Sequence, residues 1–527
     1  MTNPAMSPPS VLLIMVDQLG AAWLPAYGHD IVNAPHISGL SARGLTFDAA
    51  YCPSPLCAPS RSAMLAGRHS SRVGVYDNAA ELAATVPTLT HHLRNLGYHT
   101  ALAGKMHFVG PDQLHGFERR LTTDVYPAGA DWTPDWTRPV SDRLPWYHSM
   151  ESVLTPARCV AAMQTDYDDE VAFHAARHLR DLARHARDEP FFLVASFTNP
   201  HDPWEIPSRY WDRYDPEAIA LPAVALDPEH EDPHSRRLRI MCGADQVTLE
   251  ESQIRRARHA YYAAISYVDE RIGEVLAALR ETGLDESTTI VFCADHGEFL
   301  GERGLWYKMS LLDTSARVPL IVATPGRRAE RASGPVSTLD LAPTLLELAA
   351  GPEVAAAADF DGVSRAGLLA GQGAGDAAGG LSGPGGGERE AVGGEREAVV
   401  AEYHGEGVNA PAAMIREGAM KLIVCATDPD QLYDLAADPL ELRNLAGDER
   451  FAETVAGLRA QLDARLDLPA IGRAVLASQR ERQVVASALG RGEVTPWDFQ
   501  PHVDAAMQYV RNRADLYELQ RRARLEG

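Results

Sequence analysis

The chain has 527 residues, 45% of them hydrophobic, enough for one large α/β domain and a smaller companion around a sizeable buried core. A formal net charge of -23 speaks against nucleic acid, whose phosphates attract basic surfaces, and against an anionic membrane surface. No apolar run approaches the roughly 18 residues that span a bilayer, and MTNPAMSPPS at the start lacks the basic-then-apolar pattern of an export signal. Six scattered cysteines (Cys52, Cys57, Cys159, Cys242, Cys293 and Cys425) fit neither a disulfide framework nor a CxxC zinc site, so a reducing, cytoplasmic setting is expected.

Through about the first 350 residues, short β-branched or aromatic runs alternate with longer amphipathic stretches. That pattern predicts a doubly wound α/β domain, a mostly parallel sheet with helices on both faces. VLLIMV ends at Asp17 and Gln18. Next, Cys57-Ala58-Pro59-Ser60-Arg61 opens SAMLAGR in helical register, with Pro59 expected at a first helical position. A cysteine at a helix N-terminus faces a site suited to an anion. TALAG then ends at Lys105 with His107 beyond, FFLVASF leads to His201, and TIVFCA ends at Asp295 and His296. An Asp or His after one strand is an ordinary turn residue, but four such runs together are hard to dismiss. Ligands of open α/β sheets bind beyond the carboxyl ends of the strands, so these residues are expected to converge there.

From 351 to 398 Ala and Gly dominate and GGEREAV occurs twice in tandem, the composition of a flexible linker enlarged by a small duplication. Residues 399–467 predict a small antiparallel sheet with a helix. Residues 468–527 are helical in propensity, interrupted by TPWDFQP, whose Trp497 and Phe499 need a surface to pack against. The expected division is therefore 1–350, 351–398, 399–467 and 468–527.

CxPSR is the sequence in which type I sulfatases have a cysteine oxidised to formylglycine, and here the chain resembles the sulfatases of the alkaline phosphatase superfamily. GKMH at Lys105, GERGLWYKMS around Lys308, RVPL and LDLAPTLLELA extend the resemblance over all but the linker. The value of the aldehyde is chemical: of the two hydroxyls of its hydrate, one attacks sulfur and the other, deprotonated, expels sulfate by re-forming the carbonyl. Such a nucleophile needs a metal to lower its pKa. Asp17, Gln18, Asp295 and His296 offer three oxygens and one imidazole nitrogen, with the Cys57-derived diol completing the shell. Hard oxygen donors suit Ca2+ or Mg2+ and the histidine tilts toward Mn2+, leaving the metal open. The resemblance implies that Arg61 orients the nucleophile, Lys105 and Lys308 hold sulfate oxygens, His107 is the base for the second hydroxyl, and His201 the acid for the departing alcohol.

Longer blocks (SPLCAPSR, VYDNAAE, GKMHFVGPDQLHGFERRLTTDVYPA, WTPDW, WYH, TPWDFQP and YVRN) resemble the choline-sulfatase branch, which implies choline O-sulfate as substrate. A quaternary ammonium is recognised by aromatic faces and a carboxylate, and Trp132, Trp136, Trp146 and Tyr147 form an aromatic-rich segment; Trp136 and Trp146 read equally well as core. By resemblance Asn78, Trp132, His148 and Glu406 contact the substrate. Ser149 departs from the Asn expected after His148. The resemblance also implies a homo-tetramer, a dimer of dimers, and a formylglycine-generating or other sulfatase-maturing enzyme as partner. The alternatives are a phosphonate monoester or phosphodiester hydrolase, an aryl sulfatase, and a non-catalytic quaternary-amine binding protein.

Overall fold

The computed structural model describes residues 8–126, 129–370 and 398–491. Its centre is a nine-stranded sheet in the order Glu330–Ser337, Leu45–Tyr51, Leu320–Ala323, Thr288–Ala294, Ser10–Val16, Phe191–Phe197, His99–Gly104 and Arg119–Arg120, with Arg317–Val318 pairing beside Leu45–Tyr51. Strands Thr288–Ala294, Ser10–Val16, Phe191–Phe197 and His99–Gly104 are mutually parallel neighbours, while Leu320–Ala323 runs antiparallel to both strands it joins. The fold class read from the sequence is thus the one observed.

The central strands are continuous apolar runs, not alternating ones, because both faces are covered: every residue of Ser10–Val16, Phe191–Phe197 and Thr288–Ala294 is buried. Helices Met163–His185 and Glu251–Glu281 pack on each other, the former against strands His99–Gly104 and Phe191–Phe197; Cys57–Ala66, Leu89–Asn95 and Leu341–Ala350 form a second packed group.

The smaller unit is a four-stranded antiparallel sheet, Val399–Tyr403, Ala412–Glu417, Met420–Cys425 and Asp428–Asp434. Its side chains alternate between two cores. Val400, Ile415, Leu422, Val424 and Leu432 meet Leu458 and Leu462 of helix Ala452–Asp463, whereas Ala401, Tyr403, Met414 and Ile423 join the main core. One face thus packs on the large unit and the other carries its own helix.

Two expectations need correction. Helix Cys57–Ala66 begins at Cys57, so Pro59 is its third residue, still within the turn where a missing N–H breaks no helical bond. The stretch 351–370 is not linker: it contains helices Pro352–Ala357 and Ala366–Leu369, and Asp359 and Asp361 bind Arg72. The duplicated GGEREAV, apart from its last two residues Ala398 and Val399, and Trp497 and Phe499 lie outside the described residues. Among the described residues, no helix is long and apolar enough to cross a membrane.

Candidate active site

The register of the parallel strands brings the four run ends together. Val16 lies opposite Phe197 on one side and Ala294 on the other, so Asp17 and Asp295 emerge side by side. On the far side of Phe191–Phe197, Gly104 lies opposite Ser196 with φ of 107°. A Cβ there would sit 1.9 Å from the Ser196 carbonyl oxygen, so only glycine permits the turn that delivers Lys105. Gln18, His107, Tyr307 and Met309 also hold positive φ, between 56° and 75°. Such backbone costs roughly 1–3 kcal/mol per residue and concentrates at functional sites.

Asp17, Cys57, Asp295 and His296 are buried, with ligand atoms within 4.8 Å of one another. Cys57 Sγ, which stands where the reactive group of a modified residue 57 would begin, lies 3.2 Å from His296 Nε2 and 3.5 Å from Lys308 Nζ. His296 Nδ1 donates to the Gly297 carbonyl at 3.1 Å, which aims Nε2 into the cluster. Arg61 grips the carboxylates from behind: Nε donates to Asp295 Oδ2 at 2.7 Å, Nη2 lies 3.5 Å from Asp17 Oδ2, and Nη1 donates to the Lys105 carbonyl at 2.6 Å. Lys105 Nζ pairs directly with the same Asp17 oxygen, Oδ2. Arg61 therefore acts on the carboxylates, and its guanidinium makes no bond to the sulfur.

Burial and the Cys57 thiolate push the Asp17 pKa up, but Lys105, His201 and Arg61 outweigh them and hold it well below the usual carboxylate range. The Cys57 thiol is likewise lowered: burial opposes its ionisation, and the nearby Lys105, Lys308 and His296 charges overcome it. Two carboxylates, one aimed imidazole and a residue-57 head group fit a hard divalent cation. Gln18 is oriented toward the same region. Its Nε2 donates to Glu298 at 2.6 Å and Asp202 at 3.2 Å, which leaves Oε1 accepting from Lys308 Nζ at 2.7 Å.

Lys308 Nζ is also 2.7 Å from His201 Nε2, while His201 Nδ1 is 2.6 Å from the Asp202 carbonyl and 3.2 Å from the Tyr126 hydroxyl. The carbonyl accepts the Nδ1 proton, so Nε2 is the nitrogen facing the reaction. Across the site His107 is held by its backbone N–H to Asp124 at 2.9 Å, and its ring acts on Cys57, helping to lower the thiol's pKa.

Of the residues expected to contact the substrate, Glu406 lines a cavity with Trp136 and Tyr147, and the others are placed by their own contacts. Trp132 is half-buried and stacked on Trp146, centroids 6.1 Å apart and planes 4° from parallel, and its edge approaches His107 at 6.2 Å. Trp136 is largely buried, with Nε1 donating to the Gly405 carbonyl at 2.9 Å, and it lines that cavity. Asn78 accepts from the Ala58 N–H at 3.0 Å, tying it to the helix that carries Cys57 and leaving its Nδ2 as the group to face a ligand. His148 stacks on Tyr307 at 4.5 Å, and burial together with Lys308 depresses its pKa to about 3, so it is a neutral imidazole. Glu406 is 3% exposed with Oε2 unpartnered; burial, then the neighbouring Asp77 carboxylate, raises its pKa to about 7. Asp77, Asp124, Tyr126, Asp202 and Glu298 were not singled out from the sequence. Asp77 in VYDNAAE, and Asp124 and Tyr126 in GKMHFVGPDQLHGFERRLTTDVYPA, lie inside quoted blocks, but only their contacts reveal what they orient.

A sulfatase family model matches residues 9–352, and a model described as choline sulfatase enzyme C terminal matches residues 473–525. The chain belongs to the sulfatase family, whose members hydrolyse sulfuric esters. It is 44% identical to the choline-sulfatase of Rhizobium meliloti (strain 1021), with 97% of each chain covered. The arylsulfatase of Clostridium perfringens (strain 13 / Type A) is 27% identical, covering 87% of this chain and 94% of its own. The fold also superposes on the phosphonate monoester hydrolase of Silicibacter pomeroyi with a TM-score of 0.66 at 25% identity, covering 87% of this chain and 95% of that one.

Proposed function

We propose that the protein hydrolyses choline O-sulfate to choline and inorganic sulfate, using a formylglycine made from Cys57 and one divalent metal. The observation that carries the choice of substrate is Glu406, a buried carboxylate with an unpartnered oxygen, in a cavity, the substrate mouth, that it lines together with Trp136 and Tyr147. A carboxylate without a cation is costly in such a place, and a quaternary ammonium supplies the charge without needing hydrogen bonds. Overall similarity to the Rhizobium meliloti choline-sulfatase supports the same substrate.

Asp17, Gln18, Asp295 and His296 would hold the metal, Ca2+, Mn2+ or Mg2+, which lowers the pKa of a bound hydroxyl and shields sulfate charge. The hydrated aldehyde supplies an oxygen nucleophile and a second hydroxyl through which sulfate is released. Arg61 and Lys105 keep Asp17 and Asp295 ionised and in place. Lys105 and Lys308 offer ammonium hydrogens to the sulfate oxygens, whose charge grows in the transition state. His201, protonated at Nε2 before the reaction while its Nδ1–H stays on the Asp202 carbonyl, gives the Nε2 proton to the departing choline oxygen and becomes the neutral imidazole. His107, whose ring acts on residue 57, removes the proton of the second hydroxyl. Asn78, Trp132 and His148 complete the mouth around the choline group.

A 1–350 catalytic unit with a 399–467 companion and a 468–527 extension, assembly as a dimer of dimers, cytoplasmic location and dependence on a sulfatase-maturing enzyme belong to the same proposal. The extension overlaps the C-terminal family match.

The test is mass spectrometry of the Cys57 peptide alongside sulfate release from choline O-sulfate, an aryl sulfate and a phosphonate monoester by the same sample. Aldehyde at residue 57 together with a preference for choline O-sulfate is expected. Modified protein that ignores choline O-sulfate but cleaves either other ester would overturn the substrate and keep the chemistry.

A further inference from the structure

Helix Leu468–Leu489 carries no proposed catalytic side chain, yet two residues on one of its faces grip the loops that form the substrate mouth. Arg482 makes a bidentate pair with Asp77, at 2.6 and 2.7 Å, and its Nη1 also donates to Thr133 Oγ at 3.2 Å. Asp77 is fully buried and immediately precedes Asn78; Thr133 immediately follows Trp132. Gln479, three residues earlier and 2% exposed, accepts from the Trp136 N–H at 3.1 Å. One guanidinium therefore joins the loop that bears Asn78 to the loop that bears Trp132, and the neighbouring amide anchors the far end of the second.

The pair also has an electrostatic consequence. Asp77 is among the groups that act on Glu406. Left unpaired, it would be a second buried negative charge beside the mouth, repelling the ionised form of Glu406 and competing with it for a cation. A bidentate guanidinium cancels that charge in fixed geometry, which an ammonium cannot reproduce.

We propose that Arg482 and Gln479 are positioning residues through which the C-terminal helix sets selectivity for a cationic sulfate ester over an uncharged one, an inference that rests on the quaternary-ammonium reading of the mouth. Neither residue touches the reacting atoms, so loss of Arg482 should raise KM for the cationic ester and spare the chemistry.

The experiment compares full-length, metal-loaded, formylglycine-bearing wild type with Arg482→Met, Arg482→Lys and Gln479→Leu on choline O-sulfate and para-nitrophenyl sulfate, with melting curves for each. For Arg482→Met we expect KM for choline O-sulfate to rise about tenfold with kcat within about twofold, and kcat/KM for the aryl ester to change by less than about twofold. Arg482→Lys should recover part of the loss, and Gln479→Leu should shift KM in the same direction. Parallel decline on both esters would mean a merely structural role and overturn the proposal, as would an unchanged ratio. If Arg482→Met does not fold, Asp77→Asn with Arg482→Met removes both charges together; a wild-type KM for choline O-sulfate in that double variant sinks the tether. Failure of the underlying reading shows separately, as wild type with no preference for the choline ester.

Discussion

At His201 the geometry separates two kinds of substrate. Its Nδ1–H is spent on the Asp202 carbonyl, so Nε2, 2.7 Å from Lys308 Nζ, is the nitrogen that, once protonated, delivers a proton to the leaving oxygen. Choline is a poor leaving group and needs that proton; a nitrophenolate does not. His201→Ala is therefore expected to lower kcat on choline O-sulfate by about 10²–10⁴-fold and to affect para-nitrophenyl sulfate far less, which steady-state kinetics on both esters will read. Glu406 gives a pH signature. The groups acting on it are Asp77, Lys308 and Cys57, with Tyr147 and Tyr403 also facing it. Its pKa is raised in the folded protein to about 7, so the folded state binds the extra proton. The associated stability is present below the ordinary carboxyl range and lost as pH rises through about 7. Glu406→Gln should melt with wild type in acid and a few degrees higher in base. In wild type, KM for choline O-sulfate should rise as pH falls through the same window, because the cation needs the ionised form; in the variant it should be high and flat.

Elements matter here mainly by where they stop. The four apolar runs and the polar residues ending them were legible in the sequence because strands buried on both faces leave no alternation, and whatever follows them is conspicuous. Cys57 was legible for the same kind of reason, since a short motif ahead of a helical pattern fixes its place at the N-terminus. The partnership between the small sheet and the catalytic unit was not legible. Lys421, on strand Met420–Cys425, is fully buried with Nζ 2.7 Å from both Asp313 and Glu441, while Asp313 also accepts from the Tyr51 hydroxyl at 2.9 Å. Asp313 begins the short helix that follows the Lys308 loop. Removing one member of such a buried network strands the others. Lys421→Met is expected to cost roughly 3–5 kcal/mol, seen as a lower urea midpoint with the slope unchanged.

For the molecule as a whole, the cation site is a point of tension between Asp17 and Asp295 that Arg61 and Lys105 offset from one side. Chelation is expected to abolish activity, and Ca2+, Mn2+ or Mg2+ to restore it to different extents. Added metal at about a hundred times its Kd should stabilise the chain by about 2.7 kcal/mol, and Asp295→Asn should erase that shift in the melting curve. By itself the sequence determined the α/β class, the strand ends that carry Asp17, Lys105, His201 and Asp295, and the reactive cysteine, because periodicity and short motifs are local properties of the chain. Only the tertiary structure decided that Trp136 lines a cavity with Tyr147 and Glu406 while Trp132 stacks on Trp146, that Arg61 binds the two carboxylates and not the sulfur, and that Glu298 meets Gln18 and Arg482 meets Asp77. Those facts depend on side chains meeting across 400 residues of chain, as Arg482 and Asp77 do with a separation of 405, and no local pattern records which distant partner a buried charge will find.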